Sequence, residues 1–95
     1  MRPRHKYEVK IMPHATRSLK KLNRDRELLE RIDREIQSLV ENPRPQGCKK
    51  LRSSKHDNLY RLRVGDWRIL YAIEDDKLIV LILEVVRRDS AYIDI

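Results

Sequence analysis

Ninety-five residues, 40% of them hydrophobic, with a single cysteine, make one small domain with one core and exclude an intramolecular disulfide. Lys and Arg number 22 against 15 Asp and Glu, a formal charge of +7, which biases the chain towards nucleic acid, anionic lipid or an acidic protein. The apolar run from Leu78 to Leu83, continuing through Val85 and Val86, is too short to span a bilayer, and no apolar stretch follows the basic tail of residues 1–6. A soluble, cytoplasmic protein with no signal peptide and no membrane partner is therefore expected.

Tyr7, Val9 and Ile11 alternate with Glu8, Lys10 and Met12, the pattern of a half-buried strand. Pro13 opens a short helix in which Ala15, Leu19 and Leu22 fall at helical spacing and Lys20 and Lys21 stand near the end. Asn23 or Asp25 can cap a longer second helix, whose stripe is Leu28, Leu29, Ile32, Ile36, Leu39 and Val40. The stripe is read as core, because the sheet needs a cover. Asn42-Pro-Arg-Pro45 stops this helix. Gln46 to Asn58 is an irregular, basic loop with room for a short strand about Leu51.

Leu59 to Tyr71 reads as a tight hairpin turning at Gly65-Asp66. That turn sets Val64 against Trp67, Leu62 against Ile69 and Tyr60 against Tyr71, so one face is apolar and Trp67 belongs to the core. On the other face Arg63 lies opposite Arg68, with Arg61 two residues along. Like charges directly opposed across strands are destabilising. Such a pair is kept most readily where an anion is to sit, although both guanidinium groups could also splay into water. A second turn at Glu74–Lys77 leads into Leu78–Leu83, which is apolar at every position and so reads as a central strand buried on both faces. The strand runs on through Glu84-Val-Val86 towards Tyr92.

The resulting order is β-α-α-β-β-β: an α+β fold with two helices packed on a four-stranded, mainly antiparallel sheet, one domain over residues 1–95. Charge is unevenly placed within it. Between Arg44 and Tyr71 stand Arg44, Lys49, Lys50, Arg52, Lys55, Arg61, Arg63 and Arg68, with only Asp57 and Asp66 against them.

In this order and spacing the fragments Tyr7-Glu-Val, Ala15-Thr-Arg-Ser-Leu-Lys-Lys-Leu22, Asn42-Pro-Arg-Pro45 with Lys49-Lys-Leu51, Leu59–Tyr71, and Val86-Arg-Arg-Asp-Ser-Ala-Tyr92 resemble the RelE/ParE superfamily of bacterial toxins. The resemblance implies a RelE-like fold, a cognate antitoxin that neutralises the toxin, and no cofactor. For RelE-type members it implies metal-independent endoribonuclease cleavage of mRNA in the ribosomal A site, and so inhibition of translation. For ParE-type members it implies inhibition of DNA gyrase without RNA cleavage; a degenerate module that only binds antitoxin is a further alternative.

By this resemblance Arg61 and Arg63 occupy paired basic strand positions often held by lysine, and Arg68 the arginine of the next strand. Arg88 and Tyr92 match a C-terminal arginine and a tyrosine proposed as general base. Arginine keeps its proton at any ordinary pH, so these side chains hold charge on a phosphate and do not shuttle protons. Lys49, Lys50, Arg52, Lys55 and Arg87 suit RNA-phosphate contacts, which position without reading sequence. Arg88 is kept first on the family spacing, which requires the strand to have ended or bulged by then, and Arg87 is held in reserve. Pairing Arg68 with Leu83 across the second turn would put Arg87 on the arginine face by strict alternation, against the family spacing.

His56 is read as a solvated loop residue, a catalytic role being the lesser reading. His5 and His14 look unrelated to the site. Glu74-Asp-Asp76 is a solvated turn, no Cys/His spacing supports a metal, and Cys48 is a small loop or core residue.

Overall fold

The computed structural model describes residues 6–53 and 55–89. Helix α1 (Pro13–Lys21) starts on a proline, whose missing N–H would have no partner in a first turn anyway, and ends on Lys20 and Lys21, which suit the negative end of the helix dipole. Helix α2 (Arg26–Ser38) is capped by Asp25, whose carboxylate accepts the Leu28 N–H at 3.1 Å. Both helices turn their apolar stripes to one sheet. Ala15, Ile32, Ile36 and Leu39 are each 0% exposed, and α1 lies against the last strand. Neither helix is long and apolar enough to cross a membrane.

The sheet consists of β1 (Glu8–Ile11), β2 (Lys49–Leu51), β3 (Leu59–Val64), β4 (Trp67–Glu74) and β5 (Ile79–Arg87), in the order β1-β5-β4-β3-β2. β1 runs parallel to β5, and the other neighbours are antiparallel. The sheet therefore has five strands where the sequence reading counts four. The additional strand, β2, is a three-residue edge containing two lysines, too short and polar to carry an alternation signal.

The β3–β4 hairpin has the expected register, with Val64 opposite Trp67, Leu62 opposite Ile69, and Tyr60 opposite Tyr71. Gly65 has φ +58° and Asp66 a negative φ, the pattern of a type II′ turn with glycine at its first central position. Tyr60, Leu62, Val64, Ile69, Tyr71, Ile73, Val80, Ile82 and Val85 form the sheet's contribution to the core, with Trp67 packed at its edge. β5 is central, but it is not buried on both faces: Val80 and Ile82 are fully buried, while Ile79, Leu81 and Leu83 are half-buried. The core lies on the side of Val80, Ile82 and Val85; on the other side Leu59, Leu70 and Ala72 are buried too, while β5 is only partly covered.

The β4–β5 register departs from the sequence reading in two steps. The connecting loop is longer than a two-residue turn and passes through Leu78 at φ +55°, so the ladder starts at Glu74 opposite Ile79. A β-bulge then falls between Leu70 and Tyr71: Tyr71 pairs with Ile82 but Leu70 pairs with Glu84, and Leu83 is the surplus residue. Arg68 consequently faces Val86, where strict alternation had set it against Leu83.

A polar knot closes the far end of the sheet. Arg44 makes a bidentate ion pair with Asp75 (3.1 and 2.8 Å), donates from Nε to the Tyr60 hydroxyl at 2.9 Å, and lies over the Tyr60 ring. The Tyr7 hydroxyl donates to Asp75 at 2.7 Å, and the Tyr71 hydroxyl donates to the Pro43 carbonyl at 2.8 Å. Hydrogen bonds from Arg44 and Tyr7 hold the Asp75 carboxyl at about 2, below its ordinary range. Asp75 in turn pushes the Tyr7 phenol up, while burial does so for Tyr71. The segment after α2 is thereby tied to the sheet.

Candidate nucleic-acid interface

Alternation along each strand sorts the cationic side chains onto two faces. Arg61 and Arg63 of β3 share the face away from the helices with Arg68 of β4. Arg63 is directly opposite Arg68, and Lys49 of β2 is directly opposite Arg61. Directly opposed residues have Cβ atoms about 5 Å apart, so four cations are crowded onto three adjacent strands. Lys49 and Arg63 are exposed, and Arg61 is half-buried. Arg68 is also half-buried, with its Nε shielded from solvent. Among the described residues Lys49, Arg61 and Arg63 form no ion pair. The crowding is thus uncompensated at those three positions, which suits a polyanionic ligand.

The bulge changes the face on which the two C-terminal arginines fall. Since Val86 stands opposite Arg68, alternation gives Arg88 the arginine face, and the ladder extends to it through the Arg88 N–H, which donates to the Asp66 carbonyl at 2.7 Å. Arg87 stands opposite Trp67 on the helix side. Its guanidinium lies 5.8 Å from the Trp67 ring centroid and 3.6 Å from the Asp89 carboxylate. Arg87 therefore lies on the opposite side from Arg61, Arg63 and Arg68, while Arg88, one residue past β5, is next in alternation on theirs. Tyr92 lies outside the described residues.

The remaining basic residues divide in the same way. Lys50 pairs with Tyr60 and so projects on the helix side of the edge strand. Arg52 and Lys55 are exposed in the loop before β3, where the Ser53 hydroxyl accepts the Lys55 and His56 N–H groups. His56 is half-buried in that loop. Arg44, which the charge count places in the basic stretch, has its charge taken up by Asp75 at the far end of the sheet. Of the turn acids, Asp75 serves Arg44 and Glu74 approaches Lys77 at 3.8 Å. No group of three metal-ligating side chains converges among the described residues. Cys48 is half-buried against the core.

One polar constellation escaped the sequence reading: Glu84, inside β5, bonded to His14 and Ser18 of α1. An acid in an otherwise apolar strand was the available signal, since such a group needs partners wherever it is buried.

Residues 9–92 match the family model described as the ParE toxin of the type II toxin–antitoxin system parDE. A protein of Methanocaldococcus jannaschii designated as toxin RelE1 is 32% identical over 90 residues, spanning 92% of this chain and 96% of that protein. The archaeal RelE–RelB complex from Pyrococcus horikoshii contains a chain that superposes with a TM-score of 0.77 at 27% identity, covering 90% of this chain and 99% of that one. A chain of the toxin–antitoxin complex RelBE2 from Mycobacterium tuberculosis superposes with a TM-score of 0.70 at 30% identity, covering 87% and 99%.

Proposed function

The chain belongs to the RelE/ParE superfamily of type II toxins, and from that premise we propose that it is a ribosome-dependent endoribonuclease that cleaves mRNA in the A site. The observation that carries this reading is the cationic sheet face. Arg61, Arg63 and Arg68 share one side of the sheet, Lys49 is beside them, and Arg88, one residue past β5, is next in alternation on that side. Metal-independent cleavage of RNA needs the 2′-hydroxyl deprotonated, the leaving 5′-oxygen protonated and the charge on the phosphate stabilised. The arginines meet the third need by bidentate contact and remain charged throughout. Their field would also lower the pKa of a phenol brought among them, which is the condition for Tyr92 to act as base. The products would be a 2′,3′-cyclic phosphate, or the 3′-phosphate derived from it, and a 5′-hydroxyl.

Lys49, Arg52 and Lys55 border the face and would hold RNA phosphates without reading bases. A cognate antitoxin is the expected protein partner, since the M. tuberculosis relative is in a toxin–antitoxin complex and the P. horikoshii relative in a RelE–RelB complex. A protein acting on ribosomes would be cytoplasmic. The ParE description of the matching family supports gyrase inhibition as the second reading.

The deciding experiment adds purified protein to a translating ribosome–mRNA complex and maps new 5′ ends, with antitoxin as the control. A-site cuts that disappear with antitoxin, and with combined Arg61→Ala, Arg63→Ala and Arg68→Ala, are the expected result. Intact mRNA in the presence of folded, antitoxin-free protein rejects the nuclease reading; inhibition of DNA supercoiling by that same protein would support ParE-type action.

A further inference from the structure

Glu84 is the one charged residue buried among those described, at 7% exposure. Its Oε1 accepts from the Ser18 hydroxyl at 2.8 Å and from the Val85 N–H at 3.2 Å, and its Oε2 lies 2.8 Å from His14 Nδ1. His14 and Ser18 are one turn apart on α1, so they meet the carboxylate from a single helix face. This clamp sits immediately after Leu83, the residue left over by the bulge.

β5 has two registers available to it. In the observed one Glu84 is opposite Leu70, Val85 is opposite Ile69 in the core, and Arg88 is beside Asp66 on the arginine face. Were the bulge lost with every residue retained, the pairing of Tyr71 with Ile82 would simply continue. Leu83 would then face Leu70, and Glu84 would face Ile69 in the apolar core. Val85 would face Arg68, and Arg87 would take the place of Arg88. The slipped register would take the carboxylate from the position where His14 and Ser18 now meet it and set it beside Ile69 among hydrocarbon, a cost that disfavours that register. A leucine at position 84 would reverse the preference.

We propose that Glu84, held by His14 and Ser18, is a positioning residue that keeps the bulge in β5 and thereby selects Arg88 over Arg87 as the C-terminal arginine of the cationic face. The part that concerns RNA rests on the nuclease reading above; the part that concerns strand register does not. The two are therefore measured separately.

The variant is Glu84→Leu, with Glu84→Gln as the conservative control that keeps the hydrogen-bonding shape. Register is read by cross-strand NOEs from Arg68, which go to Val86 in the native pairing and to Val85 in the slipped one. Function is read by cleavage with Arg87→Ala or Arg88→Ala added to each background. In the native and Glu84→Gln backgrounds, Arg88→Ala loses about 100-fold, the scale for removing one charge-stabilising donor, and Arg87→Ala less than about threefold. In Glu84→Leu the NOEs move to Val85 and the two arginines exchange sensitivities. Deleting Leu83 from Glu84→Leu removes the surplus residue, so the native pairing and the dependence on Arg88 return. Should Glu84→Leu alone fail to fold, this deletion variant still decides: folded with native pairing, it supports the clamp; unfolded, it makes Glu84 a mere stabiliser and overturns it. Native NOEs in folded Glu84→Leu also overturn the proposal. Slipped NOEs with cleavage indifferent to both arginines leave the clamp standing and remove Arg88 from the nuclease site.

Discussion

Arg63 is the place where function and stability pull apart measurably. It is exposed, directly opposite Arg68, and two residues from Arg61 on its own strand. Two unit charges ~6 Å apart in the dielectric of water repel by about 0.7 kcal/mol. Screening leaves most of that at 10 mM salt, where the Debye length is about 30 Å, and roughly half at 150 mM, where it is about 8 Å. Arg61, at about 7 Å along the strand, adds a similar amount. Arg63→Gln removes the charge and keeps much of the stem, which buries little here. It should therefore stabilise the protein by about 1 kcal/mol at 10 mM salt and by about 0.5 kcal/mol at 150 mM. For a domain of this size that is a rise in Tm of about 4–8 °C at low salt and about half as much at the higher. Thermal unfolding followed by circular dichroism at both salt concentrations reads the effect. Ribosome-dependent cleavage by the same variant should fall by about tenfold or more, since a phosphate-facing charge is gone. A Tm that does not rise at 10 mM salt, or a rise indifferent to salt, would show that the guanidinium groups avoid one another. The crowding argument for the face would then fail.

Three further outcomes follow from single contacts. The Asp75 carboxyl titrates at about 2 when folded against an ordinary 3.8, so its contribution is complete above about pH 4 and is lost as the pH falls through 2. Because Arg44 and Asp75 are 40% and 45% exposed, screening reduces that contribution to about 1 kcal/mol; urea melts of Asp75→Asn and the native chain should differ by this at pH 6 and converge near pH 2. Gly65→Ala places a Cβ at φ +58° and 3.4 Å from the Arg31 guanidinium, and should cost about 1 kcal/mol in chemical denaturation without altering the hairpin register. Arg61→Gln should weaken binding to single-stranded RNA and reduce the slope of log K against log salt by about 0.7, the share of one phosphate contact.

The parts of the fold legible in the sequence are those whose signal is local. The hairpin register follows from a glycine turn and strict alternation on both sides of it, and Arg63 meets Arg68 as that pattern requires. The helix start at Pro13 was legible for the same reason, and the second helix's cap was narrowed to Asn23 or Asp25, of which the structure has Asp25. What escaped depends on residues distant in the chain. A short strand about Leu51 was legible, but its pairing with β3, which makes it the fifth strand of the sheet, was not. Arg44 looked like part of a basic patch until Asp75, 31 residues on, claimed it. The choice between Arg87 and Arg88 turned on one surplus residue, Leu83. No count along β5 could reveal that bulge, because the groups that hold Glu84 there are on α1.

The same hairpin bears both the core and the cationic face, and the two faces are energetically linked. Its inner side buries Tyr60, Leu62, Val64, Ile69 and Tyr71 beneath the helices, at roughly 1.5–3 kcal/mol for each large side chain. The repulsion among the outer arginines is about 1 kcal/mol, so the inner face holds the strand pair together with charge left uncompensated outside. The fold can therefore keep its arginines poised, and any polyanion that binds them relieves the repulsion as well as making contacts. Such a ligand binds the folded face more tightly than the unfolded chain and so raises Tm by mass action, with a salt dependence steeper than that of unfolding itself. A short RNA oligomer that shifts Tm at 10 mM salt in the native protein, and less in Arg63→Gln, would tie ligand binding to this face by a measurement independent of cleavage.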